Sequence, residues 1–217
     1  QNTFNKRKAL MSKISVIDYG MGNIHSVAKA LYKVCGKEHK VVITNSIKEI
    51  NSSDKIVFPG QGAAKYCMNN LQNKFDIIKL KEIICRKPFL GICMGLQVLM
   101  TFSEEDDTEC LNIFDGHVQR IQSSSDEIKL PHMGWSRVNF TYDSALSNNI
   151  NNDTFFYFVH SYHVFTKSKD DVMSYTDYGC KFISSLQKDN IVAVQFHPEK
   201  SSTNGLKLLN NFIKWRI

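Results

Sequence analysis

Residues 13–92 restrict the fold of this chain more than any other stretch, because short β-branched runs alternate there with segments of helical periodicity. Residues 13–18 and 40–44 read as strands. Between them Ile24, Val27, Ala28, Leu31 and the pair Val34/Cys35 recur at helical spacing and make one apolar face. That is a strand–helix–strand unit, the connection that parallel strands require. The alternation continues with a strand at 55–58, helical patterns over 63–73 and 77–87, a strand at 88–92 and a helix starting at Met94. Together these predict a largely parallel sheet with helices on both faces.

From Gly116 onward the spacing shortens. Strand candidates at 116–121, 137–141, 154–159, 182–186 and 191–196 precede a final amphipathic helix over 204–215, so this half reads as more antiparallel. There is no repeat, no linker and no low-complexity segment beyond the serines at 123–125. The two halves are therefore expected to share one open mixed α/β sheet in a single domain, residues 11–217, which is an ordinary length for one core.

Composition removes several classes of function. With 42% apolar and 22% charged residues the chain is neither disordered nor fibrous. Its longest apolar stretch, 88–102, is broken by Gly91, Gly95 and Gln97 and is too short to span a bilayer, so no membrane role is expected. Net charge is +6, but Lys6, Arg7 and Lys8 fall in the first ten residues, which hold no acid, leaving +3 for residues 11–217. No nucleic-acid partner is expected from so weak a balance. Residues 1–10 lack the apolar centre of a signal peptide and read as a disordered leader or added extension. Six cysteines without a Cys-x-x-Cys pair imply reduced thiols, no metal site and a cytoplasmic location.

One cysteine stands apart. In Gly91-Ile92-Cys93-Met94-Gly95 it occupies the middle of a strand-to-helix junction, the pattern of a nucleophile elbow with a thiol in place of a hydroxyl. There Cys93 would sit above the carboxyl end of the sheet, beside helix N–H groups that favour a thiolate and can also hold an oxyanion. A core cysteine flanked by two turn glycines is the competing reading of this pentapeptide. A thiol nucleophile needs a base, and of seven histidines only His197 has an orienting group close by. In Gln195-Phe196-His197-Pro198-Glu199, proline favours an extended His197, so that residues 197 and 199 face the same way. By itself His-x-Glu after a strand also describes an ordinary surface loop. Asp18-Tyr19-Gly20-Met21-Gly22-Asn23 reads as a glycine-rich turn or a phosphate loop; the third glycine and the lysine of nucleotide motifs are missing.

The run from Gly91 to Gln97 together with His197-Pro198-Glu199 resembles the triad-type, class-I glutamine amidotransferases. Further motifs narrow the resemblance: residues 17–23, Pro59-Gly60-Gln61-Gly62, Pro131-His132-Met133-Gly134-Trp135, Tyr157-Phe158-Val159-His160-Ser161-Tyr162 and residues 195–201. They are similar to those of the glutaminase subunits of imidazole glycerol phosphate synthase, over roughly residues 11–217. The resemblance implies a flavodoxin-like sheet, Cys93 as nucleophile, His197 as general base and then acid, and Glu199 as its orienter. It implies oxyanion donors in the backbone N–H groups of Gln61 and Met94. Gly60, Gly62, Gln97, Glu105, His160, Ser161 and Tyr162 would bind glutamine, and Asn23, Trp135, Tyr157 and Lys200 would lie toward a partner and an ammonia exit. Many relatives carry valine in place of Gln61, a change that a backbone role tolerates. The implied partner is a (β/α)₈-barrel cyclase in a heterodimer, with L-glutamine as substrate and no cofactor. A paralogue feeding another synthase, a stand-alone γ-glutamyl hydrolase and an inactive binding module are the alternatives.

Overall fold

A computed structural model describes residues 11–20, 22–122 and 128–217; the expectations for residues 1–10, Met21 and serines 123–125 lie outside them. The first half forms as its periodicity predicts. In chain order it holds β1 (Ser12–Ile17), α1 (Ile24–Val34), β2 (His39–Thr44), α2 (Ile47–Asn51), β3 (Lys55–Gly60), α3 (Ala64–Lys74), α4 (Ile77–Ile84) and β4 (Phe89–Cys93). A one-turn helix α5 (Met94–Gln97) and two short strands, β5 (Phe102–Ser103) and β6 (Thr108–Glu109), follow. The second half holds β7 (Gly116–Arg120), β8 (His132–Phe140), β9 (Thr154–His160), β10 (Tyr162–Thr166), β11 (Val172–Asp177), β12 (Lys181–Lys188) and β13 (Ile191–Val194), closed by α6 (Ser202–Lys214).

Among the described residues these thirteen strands make one sheet, with the path β2-β1-β3-β4-β13-β12-β10-β7-β5-β6 and with β11, β8 and β9 branching from β12. Its main parallel part is β2, β1, β3, β4 and β13. The last of these corrects the sequence reading, which grouped residues 191–196 with the antiparallel half. β13 instead lies parallel to β4, with Val194 opposite Ile92, and brings the segment after it beside the elbow.

Alternate residues of each central strand enter two different cores. Val57, Leu90, Ile92, Val192 and Val194 pack with α1 and α6, while Ile56, Phe58, Phe89, Ile191 and Ala193 pack with α3 and α4. A strand covered on both faces has no polar side, which is why these runs are apolar throughout. Residues 131–135 are mostly strand: β8 begins at His132, five residues before the strand expected at 137–141, and pairs with β9, Trp135 opposite Tyr157.

Candidate active site

β4 ends on Cys93, whose backbone adopts φ 54° and ψ −105°, a left-handed conformation that costs a residue with a Cβ free energy. The flanking glycines are required for space. A Cβ on Gly91 would lie 2.4 Å from the Gly95 carbonyl oxygen, and one on Gly95 would lie 2.2 Å from that of Phe58. The helix expected from Met94 stops after one turn because the carbonyls of Val98, Leu99 and Met100 accept backbone N–H groups from residues 111–114. The dipole of so short a helix is small; what remains near the thiol are the first N–H groups themselves.

Pro198 leaves His197 extended, at φ −105° and ψ 95°, and Glu199 follows in the 3₁₀ turn Pro198–Lys200. Glu199 Oε1 is 2.7 Å from His197 Nδ1, with both side chains fully buried. This contact assigns the Nδ1 proton to the carboxylate and turns Nε2 away from it; Nε2 has no hydrogen-bond partner among the described residues. Burial by itself would lower the pKa of His197, but Cys93 and then Glu199 outweigh it and raise the pKa to about 10. The Asn23 amide, at the start of α1, donates to the same Glu199 oxygen. Cys93 Sγ lies 3.9 Å from the Val159 carbonyl and 3.6 Å from Gln195 Nε2.

The thiol opens into a cavity of about 410 Å³ whose lining includes Gln61, Gly62, Met94, Gln97, Glu105 and the run His160-Ser161-Tyr162. Every residue expected to bind glutamine is there except Gly60, which is packed behind the wall. A Cβ on Gly60 would lie 2.7 Å from that of Met94 and 2.9 Å from the Tyr19 hydroxyl, whereas Gly62 is needed for its φ of +91°. Gln97 Nε2 donates to the Tyr162 carbonyl (3.1 Å) and to Gln195 Oε1 (3.2 Å), so its own buried Oε1, without a partner among the described residues, is the atom left for a ligand. Glu105 accepts the Ala64 N–H at 2.8 Å, and burial raises its pKa.

Residues 15–215 match the family described as glutamine amidotransferase class-I. The chain is 46% identical to the imidazole glycerol phosphate synthase subunit HisH of Hydrogenovibrio crunogenus over 204 residues, covering 93% of this chain and 96% of that one. It is also 46% identical to the HisH subunit of Nitrosococcus oceani over 206 residues, 94% and 98% of the two chains. The chain belongs to the class-I glutamine amidotransferases, in the HisH family. Its fold is shared at lower identity by the glutaminase domain of Trypanosoma brucei CTPS with bound acivicin (TM-score 0.67, 17% identity, 93% and 92% covered). A glutamine amidotransferase from Thermotoga maritima is similar as well (TM-score 0.60, 15% identity, 89% and 79% covered).

On this amidotransferase the residues expected toward a partner fall in two places. Trp135 and Tyr157 meet edge to face, 5.9 Å between centroids, with Lys200 Nζ 5.9 Å above the Tyr157 ring. Trp135 is half exposed beside Met133 and Phe155, and Lys200 also lines the cavity. Asn23, by contrast, is turned to Glu199. The sequence reading missed Gln195 as a neighbour of the thiol, although it stands two residues before His197. It also missed Ser201, whose hydroxyl accepts the Tyr157 N–H (2.9 Å) and donates to the His197 carbonyl (2.6 Å), tying the aromatic strand to the triad loop. No local pattern marks a contact of that sequence separation.

Proposed function

We infer that the chain is the glutaminase subunit of an imidazole glycerol phosphate synthase, hydrolysing L-glutamine to glutamate and ammonia. The observation that carries this reading is a strained Cys93 facing a cavity of about 410 Å³ beside the buried His197–Glu199 pair. In the reaction Cys93 swings from the Val159 carbonyl toward His197 Nε2, loses its proton there and attacks the glutamine side-chain carbonyl carbon. The N–H groups of Met94 and Gln61 receive the oxyanion. His197 returns the proton to the departing nitrogen, ammonia leaves, and a thioester remains on Cys93. A water molecule then gives its proton to His197 and its oxygen to the thioester carbon, releasing glutamate and restoring the thiol. Glu199, held by Asn23, keeps the ring aimed and favours its charged form.

Gln97 Oε1 and the Glu105 carboxylate suit the substrate α-ammonium, and the backbone of residues 160–162 suits its α-carboxylate. Ammonia passes to a (β/α)₈-barrel cyclase subunit bound against Trp135, Tyr157 and Lys200; the HisH relatives, named as synthase subunits, support the existence of such a partner. The test is glutaminase turnover by the chain with and without the cyclase subunit and its nucleotide ligand, with mass spectrometry of the trapped thioester. An adduct on Cys93 and strong stimulation by the liganded partner are expected. An adduct on Cys67 or Cys110 would overturn the site, and no response to the partner would overturn the subunit assignment.

A further inference from the structure

Four groups outside the triad stand in line from β8 to the cavity wall. Ser136 Oγ is 2.8 Å from His132 Nε2, His132 Nδ1 is 3.1 Å from His160 Nε2, and His160 Nδ1 is 2.8 Å from the Tyr162 carbonyl oxygen. A carbonyl oxygen only accepts, so His160 carries its proton on Nδ1. A neutral imidazole has one donor and one acceptor, so His160 Nε2 accepts from His132 Nδ1–H, and His132 Nε2 accepts from the Ser136 hydroxyl. One carbonyl thereby fixes the tautomer of both rings and the rotor of the serine. Both rings are buried, and burial holds their pKa values down, to about 4 for His132 and about 3 for His160, so each is neutral near pH 7.

The rings cannot turn over. His132 is stacked between Tyr178 (3.8 Å, 16°) and Phe158 (4.9 Å, 18°), and His160 meets Phe182 edge-on at 5.1 Å. The contact from His160 to Tyr162 spans the bend at Ser161 that joins β9 to β10. The same carbonyl accepts Gln97 Nε2, whose other contact, Gln195, reaches Cys93 Sγ.

We propose that Ser136, His132 and His160 form a one-way hydrogen-bond chain that positions the 160–162 strip for the substrate carboxylate, with Ser136 and His132 acting as positioning residues through His160. The proposal rests on the glutaminase reading, since it names what the strip is held for. The chain starts on β8, from the side opposite the exposed Met133 and Trp135, so the strand that carries the aromatic patch also carries the first link.

Nitrogen NMR of the full chain labelled at histidine tests the direction. Both His132 and His160 should be neutral at pH 7 with the proton on Nδ1, and a proton on Nε2 of either ring would overturn the chain. His132→Phe keeps the stack and removes both nitrogens. Measured with the cyclase subunit and its nucleotide ligand, it should raise the KM for glutamine about tenfold and leave kcat within about twofold, the pattern of lost ground-state binding. Ser136→Ala, a milder change, should raise KM by about threefold. An unchanged KM in both variants, or a fall in kcat alone, would overturn the positioning role. Amide hydrogen exchange at Ser161 and Tyr162 should quicken in His132→Phe irrespective of any activity, and unchanged exchange would also overturn it. Absence of glutaminase activity in the wild type would strike the functional reading instead.

Discussion

Of the six thiols, Cys93 alone combines a left-handed backbone, an open cavity and a histidine whose pKa it raises. Cys67 and Cys110 are pushed up to about 12 by burial, which leaves them protonated and inert at neutral pH. The raised pKa of His197 rests on two neighbours, Cys93 and Glu199, so removing one should be visible. Cys93→Ser should lower the His197 pKa from its raised value, read by NMR titration; an unchanged value would mean that Glu199 alone sets it. The sign for stability follows. Because the folded pKa, about 10, exceeds the ordinary 6.5, this contribution is complete below pH 6.5 and fades as pH rises toward 10. For turnover, His197→Asn removes proton transfer and should cost about 10² to 10⁴ in rate. Glu199→Gln keeps the ring and should cost clearly less. Equal losses in a direct kcat comparison would show that Glu199 does more than orient.

At the scale of elements, the site depends on close backbone approaches that only glycine permits. Gly205, in the first turn of α6, is the sharpest case: a Cβ there would lie 1.8 Å from the Pro198 carbonyl oxygen, on the turn that carries Glu199. Gly205→Ala should push that turn away and cost about 1 to 3 kcal/mol in stability. It should also lower kcat several-fold while circular dichroism stays native; full activity would show that the turn tolerates the shift. The parallel half was legible in the sequence because buried strands and amphipathic helices carry long, regular patterns, and the elbow because its glycines flank a cysteine. α2, β5, β6, β10 and β11 were not, being too short, too polar or too irregular; β11, for example, changes register twice against β12. The partnership of Asn23 with Glu199 was invisible for another reason. It joins residues 176 apart, and only the parallel insertion of β13 beside β4 brings them together.

For the whole molecule, that insertion places Cys93, His197 and Glu199 where the parallel half meets the antiparallel half, so the strand ends that carry them and the aromatic strands β8 and β9 share one sheet. Met133, Trp135 and Phe155 are 62%, 50% and 46% exposed on β8 and β9, an apolar patch of the kind that an interface covers. Trp135→Ala should weaken association with the cyclase subunit, measured by titration calorimetry. Tyr157→Ala should release glutamate without matching cyclase product, and tight coupling in that variant would remove Tyr157 from the ammonia exit. The same architecture has a cost in acid. His132 and His160, neutral and buried between β8, β9 and β12, ordinarily titrate near 6.5 but in the fold only near 4 and 3. Their contribution to stability is therefore complete above pH 6.5 and is lost as pH falls toward 3, because the unfolded chain binds the protons first. The slope approaches about 1.4 kcal/mol per pH unit for each ring. Urea denaturation at pH 7 and pH 5 should reveal a steep loss in the wild type and a shallower one in His132→Phe, which has one proton fewer to take up. Equal slopes in the two proteins would mean that His132 titrates in the folded state as it does in water, and that the buried pair is not neutral by necessity.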